Sequence, residues 1–190
     1  MPSSLQVDQI QSSDGNTTYL NSGTLSNLTF PAGHVIFTDA VNHVITSGIT
    51  VSTTANDYLG SDLEVSITPK ANGNKLYISC FIPDVSNSGS VDRALHAGFR
   101  YDANFSSGDG TILGPRQFVA DHHGFKADSG TLLTNLQYSL VCTVGTNAPS
   151  AGSTVKIRPY FQAYTGNVIL AQNAGSGFGV FSLIIMEIQQ

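Results

Sequence analysis

The sequence predicts an all-β protein, a sandwich body preceded by an extended N-terminal arm, and three observations carry that prediction. Ser, Thr, Asn and Gly make up 71 of the 190 residues, whereas Glu and Lys number 2 and 4. Ser, Thr and Asn compete with the helical backbone for hydrogen bonds and Gly loosens it, so a mostly helical chain is excluded. Hydrophobic residues still amount to 41%, including 10 Phe and 7 Tyr, which is enough to fill a core and too much for a disordered chain. From Val35 onward, apolar and polar residues alternate with the period of two that marks strands with one face inside.

Residues 1–34 differ from the rest. Short apolar pieces (Leu5, Val7, Ile10; Leu25, Leu28, Phe30) alternate with the turn-rich stretches 12–16 and 21–23, and Asp8 and Asp14 are the only charges. No piece is long enough to build a core. The segment reads as an extended docking arm that adds strands to something else, followed by a body over 35–190.

Within the body, Leu63, Val65 and Ile67 alternate with Glu64, Ser66 and Thr68 until Pro69 stops the strand. Ala71-Asn72-Gly73-Asn74 supplies a tight turn, and Leu76, Ile78, Cys80 and Ile82 return with Tyr77 and Phe81 on the opposite face. This pattern predicts a hairpin. Further alternating runs are Leu95–Ala97–Phe99–Tyr101, Leu136–Tyr138–Leu140–Cys142–Val144 and Val155–Ile157–Pro159–Phe161–Ala163. The last run, 180–188, is apolar on both faces over most of its length, as in a central strand or one at a subunit interface. Long polar connections at 86–90, 106–110, 121–130, 146–153 and 173–177 separate about eight strands. Such spacing predicts two sheets with Greek-key crossings, the jelly-roll sandwich.

Charge and composition narrow the function. A net charge of −5 and eight dispersed basic residues, none before Lys70, argue against a nucleic-acid partner. No basic n-region with a long apolar run is present, so no signal peptide is expected, and no stretch approaches the roughly 18 apolar residues of a membrane span. Cys80 and Cys142 could pair, but each sits inside a strand-like run, and the reading preferred is two buried free thiols.

Few residues combine into chemistry. Asp121-His122-His123 with His96 or His34 is the one His/carboxylate cluster, and it reads as exposed loop histidines rather than a metal site. Asp102-Ala103-Asn104-Phe105-Ser106-Ser107-Gly108-Asp109-Gly110 spaces oxygen ligands as a calcium loop does. It lacks the sixth-position Gly, however, and has Leu113 in place of the bidentate Glu. Glu64 and Glu187 form no carboxylate pair for glycoside chemistry. No catalytic residue, cofactor or metal is therefore assigned, and the chain reads as a non-enzyme. Two contact surfaces are expected instead. Lys156, Arg158, Tyr160, Gln162 and Tyr164 share one strand face, either solvated or a contact rich in Tyr and Arg. The strand at 180–188, with Val180, Phe181, Leu183 and Ile185, would be covered by a symmetric partner.

Four segments carry a family resemblance: Leu5-Gln6-Val7-Asp8-Gln9-Ile10-Gln11, Phe30-Pro31-Ala32-Gly33-His34-Val35, Leu63-Glu64-Val65-Ser66-Ile67-Thr68-Pro69-Lys70 with Lys75-Leu76-Tyr77-Ile78, and Ile185-Met186-Glu187-Ile188. The sequence resembles small virion structural proteins of tailed bacteriophages, notably those of cyanobacteria and marine bacteria. That resemblance covers both ends and the middle, with 85–150 matched only in general pattern. It implies a jelly-roll body, often a homotrimer, whose N-terminal arm docks onto a major capsid protein or another virion protein by strand addition. The expected role is a capsid cement or decoration protein assembled in the host cytoplasm and located in the virion. The alternative is a tail fibre or receptor-binding tip whose loops at 103–130 contact a host surface glycan. A carbohydrate-active enzyme or lectin is the alternative of a different class, by jelly-roll analogy.

Overall fold

The computed structural model describes residues 9–11, 18–21, 24–25, 32–51, 58–87, 95–106, 108, 110–120, 134–163, 167–171 and 179–190. They fall into two compact units, Met1–Ala32 and Gly33–Gln190. Every strand pair is antiparallel, and among the described residues there is no helix, hence none long and apolar enough to cross a membrane.

The first unit contains β1 (Gln9–Gln11), β2 (Thr18–Asn21) and β3 (Thr24–Leu25), joined as a meander in which Ile10 stands opposite Leu20 and Leu20 opposite Leu25. These strands pair with one another, a closure that the short apolar pieces alone did not reveal. Leu5, Val7, Leu28 and Phe30 lie outside the described residues.

The second unit contains β4 (Val35–Val44), β5 (Ile49–Val51), β6 (Tyr58–Leu59), β7 (Val65–Ile67), β8 (Lys75–Asn87), β9 (Leu95–Asp102), β10 (Thr111–Ala120), β11 (Thr134–Thr143), β12 (Val155–Ala163), β13 (Val168–Leu170) and β14 (Val180–Ile188). Its pairings are nested. β4 pairs with β14, β5 with β13, β6 and β7 with β12, β8 with β11, and β9 with β10. The chain is thus one long antiparallel hairpin, its tip between β9 and β10, rolled so that β14 meets β8 and β12 meets β9. The result is two sheets, β4-β14-β8-β11 and β7-β12-β9-β10, with the short β5, β6 and β13 at their margins. Nested pairs distributed over two four-stranded sheets are the jelly-roll topology.

Period-two sequence becomes period-two burial. Leu76, Ile78, Cys80 and Ile82 of β8, Phe181, Leu183 and Ile185 of β14, and Leu136, Tyr138, Leu140 and Cys142 of β11 face Val65, Ile67, Phe99, Ile157 and Phe161 of the other sheet. Tyr138 spans the gap. Its ring stacks on Phe99 (centroids 4.9 Å apart) and meets Phe161 edge-on at 6.0 Å, and its hydroxyl donates to the Gly98 carbonyl at 3.2 Å. A buried phenol needs such an acceptor, and here it locks one sheet to the backbone of the other.

The hairpin expected between β7 and β8 is not formed. β7 pairs with β12, and the turn at 71–74 carries the chain across to the opposite sheet. Alternation and turn residues are the same for a hairpin and for a corner, so the local pattern cannot separate them. The corner is held by a long-range contact. The Glu187 carboxylate, fully buried in β14, accepts the Lys70 backbone N–H at 2.9 Å (Oε1) and 3.1 Å (Oε2), and the Asn74 side-chain amide at 2.7 Å. Asn74 Oδ1 in turn accepts the Gln190 N–H at 3.3 Å.

Removing that carboxylate leaves the buried Asn74 amide and the half-buried Lys70 N–H without their acceptor, a cost of about 3 kcal/mol. Glu187→Ala should therefore lower the thermal midpoint by about 8 °C, whereas Glu187→Gln, which keeps one acceptor, should lose less. Calorimetry of the two variants checks this.

Candidate functional site

The surfaces expected to meet partners are distributed differently from the sequence pattern. Phe181, Leu183 and Ile185 are buried inside their own chain, because β14 lies between β4 and β8 and turns that face to the opposite sheet. They are core, not subunit interface. Val180 is on the other face and 39% exposed. Tyr160 is also fully buried, on the outer side of β12, where its ring lies across Gly98 of β9. A Cβ on Gly98 would come within 2.5 Å of that ring. The Arg100 guanidinium stands 4.9 Å from the Tyr160 ring centroid. Tyr160 is therefore spent within its own chain and unavailable to a partner. Tyr164 lies outside the described residues.

Arg158 is engaged as well. Its Nε and Nη2 both reach Glu64 Oε2, at 2.8 and 2.6 Å, while Lys156 Nζ reaches Glu64 Oε1 at 2.7 Å. The Arg158 guanidinium also lies 4.3 Å from the Phe105 ring centroid. Glu64, just ahead of β7, points outward as expected. Burial raises its pKa, but the hydrogen bonds and charges of Lys156 and Arg158 outweigh burial and hold it below the ordinary carboxylate range. The outer side of the β12 sheet is thus a cross-strand ion cluster closed on itself.

At the hairpin tip, Asp102 Oδ1 accepts the Asn104 and Phe105 N–H groups at 3.0 and 2.9 Å, and Asn104 Oδ1 accepts that of Ser106 at 2.9 Å. Of the oxygen atoms that suggested calcium ligands, those of Asp102 and Asn104 are hydrogen-bond acceptors of a tight turn, and Asp109 lies outside the described residues. Backbone N–H donation accounts for an Asp102 pKa below the ordinary range. Of the histidines, His96 is buried in β9 and His34 is exposed ahead of β4, so these two do not form one cluster. Asp121, His122 and His123 lie outside the described residues, among which no group of three metal-ligating side chains occurs.

Cys80 and Cys142 are free and buried. Burial pushes the Cys80 thiol up to about 12 and the Cys142 thiol to about 11. Beside the hairpin tip, a hollow of about 330 Å³ is bordered by Tyr101, Thr111, Ile112, Thr146, Asn147 and Ala148, an uncharged lining of mixed polar and apolar character. Asn147 Oδ1 accepts the Thr143 N–H at 2.7 Å, which fixes that wall.

Of a third surface, the outer face of the β14 sheet, the sequence reading picked out only Val180. The five large hydrophobic side chains exposed among the described residues, Val35, Val44, Val141, Val180 and Ile184, all belong to its strands. The signal was present in the same runs that gave the core, at alternate positions where a solvated strand would carry polar residues.

No family model matches the sequence, and no curated protein matches it. Solved structures to which it is similar include the VP2 subviral particle of infectious bursal disease virus (TM-score 0.39, 11% identity, 93% of this chain and 41% of that one). Others are the C-terminal domain of the sugar-binding protein EclA (TM-score 0.27, 12% identity, 82% and 86%) and the particle of Israeli acute paralysis virus (TM-score 0.26, 10% identity, 99% and 92%). The chain spans less than half the length of the VP2 chain. The jelly-roll assignment rests on the strand order, not on these superpositions.

Three outcomes follow. Both thiols should stay silent toward a disulfide reagent in the folded protein at mildly alkaline pH and react together in denaturant, because only a thiolate attacks. Because the Glu64 pKa is lowered on folding, its contribution to stability is present above the ordinary carboxylate range and lost as pH falls through the lowered value. Glu64→Gln should thus be less stable than the parent near neutrality, with the gap closing in acid denaturation scans. Gly98→Ala should destabilise by about 1–3 kcal/mol through overpacking against Tyr160. That loss should shrink in a Tyr160→Leu background, as a double-mutant cycle would read.

Proposed function

We propose that the chain is a structural protein of a tailed-bacteriophage virion, a cement or decoration protein whose residues 1–34 dock the jelly-roll body onto the capsid. The observation that carries this reading is the division of the chain. A β body with a complete core of its own follows a small unit whose three short strands make their own pairs and align Ile10, Leu20 and Leu25 in one row. Three strands of two to four residues are marginal alone and gain by adding to a neighbour's sheet edge. The sequence resemblance to phage virion proteins supports the same role, and the closed ion cluster and inert thiols suit a body that serves as scaffold rather than catalyst.

A second reading, the receptor-binding tip, is favoured by the hollow bordered by Tyr101, Thr111 and Asn147. Its uncharged, partly aromatic lining suits a neutral sugar.

Particle assays separate the two. Deleting residues 1–30 should abolish incorporation into particles while leaving the body folded. Particles lacking the protein should lose thermal and osmotic resistance yet adsorb to host cells normally. Intact stability with lost adsorption is the result expected of the tip instead.

A further inference from the structure

We infer that the outer face of the β4-β14-β8-β11 sheet is a self-association surface, covered by the same face of a second copy of this chain. In-register pairing lays that face out as rows across the strands. Val141–Tyr77–Met186–Thr38, Ser139–Ser79–Ile184–Ala40 and Gln137–Phe81–Ser182–Asn42 are the inner rows. They are flanked by Val180–Val44 at one end and by Thr143–Lys75–Ile188–Val35 at the other. Val44 and Val141, at opposite corners, are 59% and 58% exposed.

Among these described residues the one charged side chain is Lys75, at an end of the face, with its Nζ turned to Thr143 Oγ1 at 2.7 Å. The chain as a whole carries a net charge of −5. Two copies approaching through a charged surface repel, whereas this face lets them meet without that cost. A charged partner would find almost nothing here to pair with, and a face of mixed polar and apolar side chains with almost no charge fits its own copy. Four strands about 4.8 Å apart and five rows about 6.8 Å apart give on the order of 600 Å² per copy, the lower edge of what a stable pair buries. Two such faces stack as sheets do in a sandwich, about 10 Å apart. A face that meets the same face of a second copy is isologous and closes at two copies. This pairing is independent of the docking role of residues 1–34 and differs from the trimer that the family resemblance implies.

Sedimentation equilibrium of the full chain at micromolar concentration should give a dimer. Ile184→Asp, at the centre of the face, should give a monomer with unchanged circular dichroism. Val141→Lys, at an exposed corner, is the second variant should Ile184→Asp fail to fold, and it should weaken the dimer at least tenfold. Ile184→Cys should form a covalent dimer under mild oxidation, since the centre of an isologous face lies nearest its own copy. Ser66→Cys, exposed on the other sheet, should not. A monomer at all concentrations, a trimer, or a dimer that survives both charged substitutions overturns the inference, as does equal cross-linking from Ser66→Cys.

Discussion

The corner at residues 68–74 decides this fold, and a buried carboxylate holds it together with hydrogen bonds from Gly73 N–H to the Val144 carbonyl and from Gly152 N–H to the Pro69 carbonyl. Everything local in that segment favours a plain hairpin: two alternating runs, a strand-stopping Pro69 and an Asn-Gly turn. A hairpin would place Val65 and Leu76 in one sheet. Glu187, from the far end of the chain, instead gathers the Lys70 N–H and the Asn74 amide, and β7 and β8 part to opposite sheets. Every later pair depends on that parting. β12 can add to β7 only because β8 has left, and β14 can lie between β4 and β8 only because β8 faces the other way across the core.

The two outer faces that result have opposite characters. On the β12 sheet, Glu64 ties down both Lys156 and Arg158, leaving one net positive charge, and Tyr160 fills the space that Gly98 leaves. On the β14 sheet, polar and apolar side chains mix almost without charge. Each sheet is internally satisfied on its core side by the same means, apolar alternation with Tyr138 as the bridge. The difference outside therefore owes nothing to the packing of the core. It is a difference in what each surface is free to meet.

Much of the architecture was legible in the sequence because burial in a sandwich repeats every two residues. The core positions of β8, β9, β11 and β12 could be picked out by alternation alone. β10 escaped, since Gly114 and Pro115 interrupt its pattern, and β5, β6 and β13 are too short to show one. Pairing was illegible where it is long-range, as at β7 and β12, because alternation says which face a residue takes but not which strand lies beside it. The same limit misplaced the contact surface. Phe181, Leu183 and Ile185 look like an excess of apolar residues until the opposite sheet is supplied, whereas Val180 and Ile184, on the other face of the strand, look like more of the same. Tyr160 read as solvated or as part of a contact because nothing in its own strand announces the gap at Gly98.

The position of β14 has a consequence for how the molecule comes into being. β14 is made after every strand it joins, yet it fills the middle of its sheet, so during synthesis β4 and β8 wait with unpaired edges. An edge with free N–H and C=O groups can recruit any extended chain nearby, including that of a neighbour on the same message. Closure by β14 must also bring together residues as distant as Phe37 and Glu187, a separation that slows folding. The nascent chain thus keeps these edges open until β14 has emerged, and the arrival of a single nine-residue strand ends that exposure.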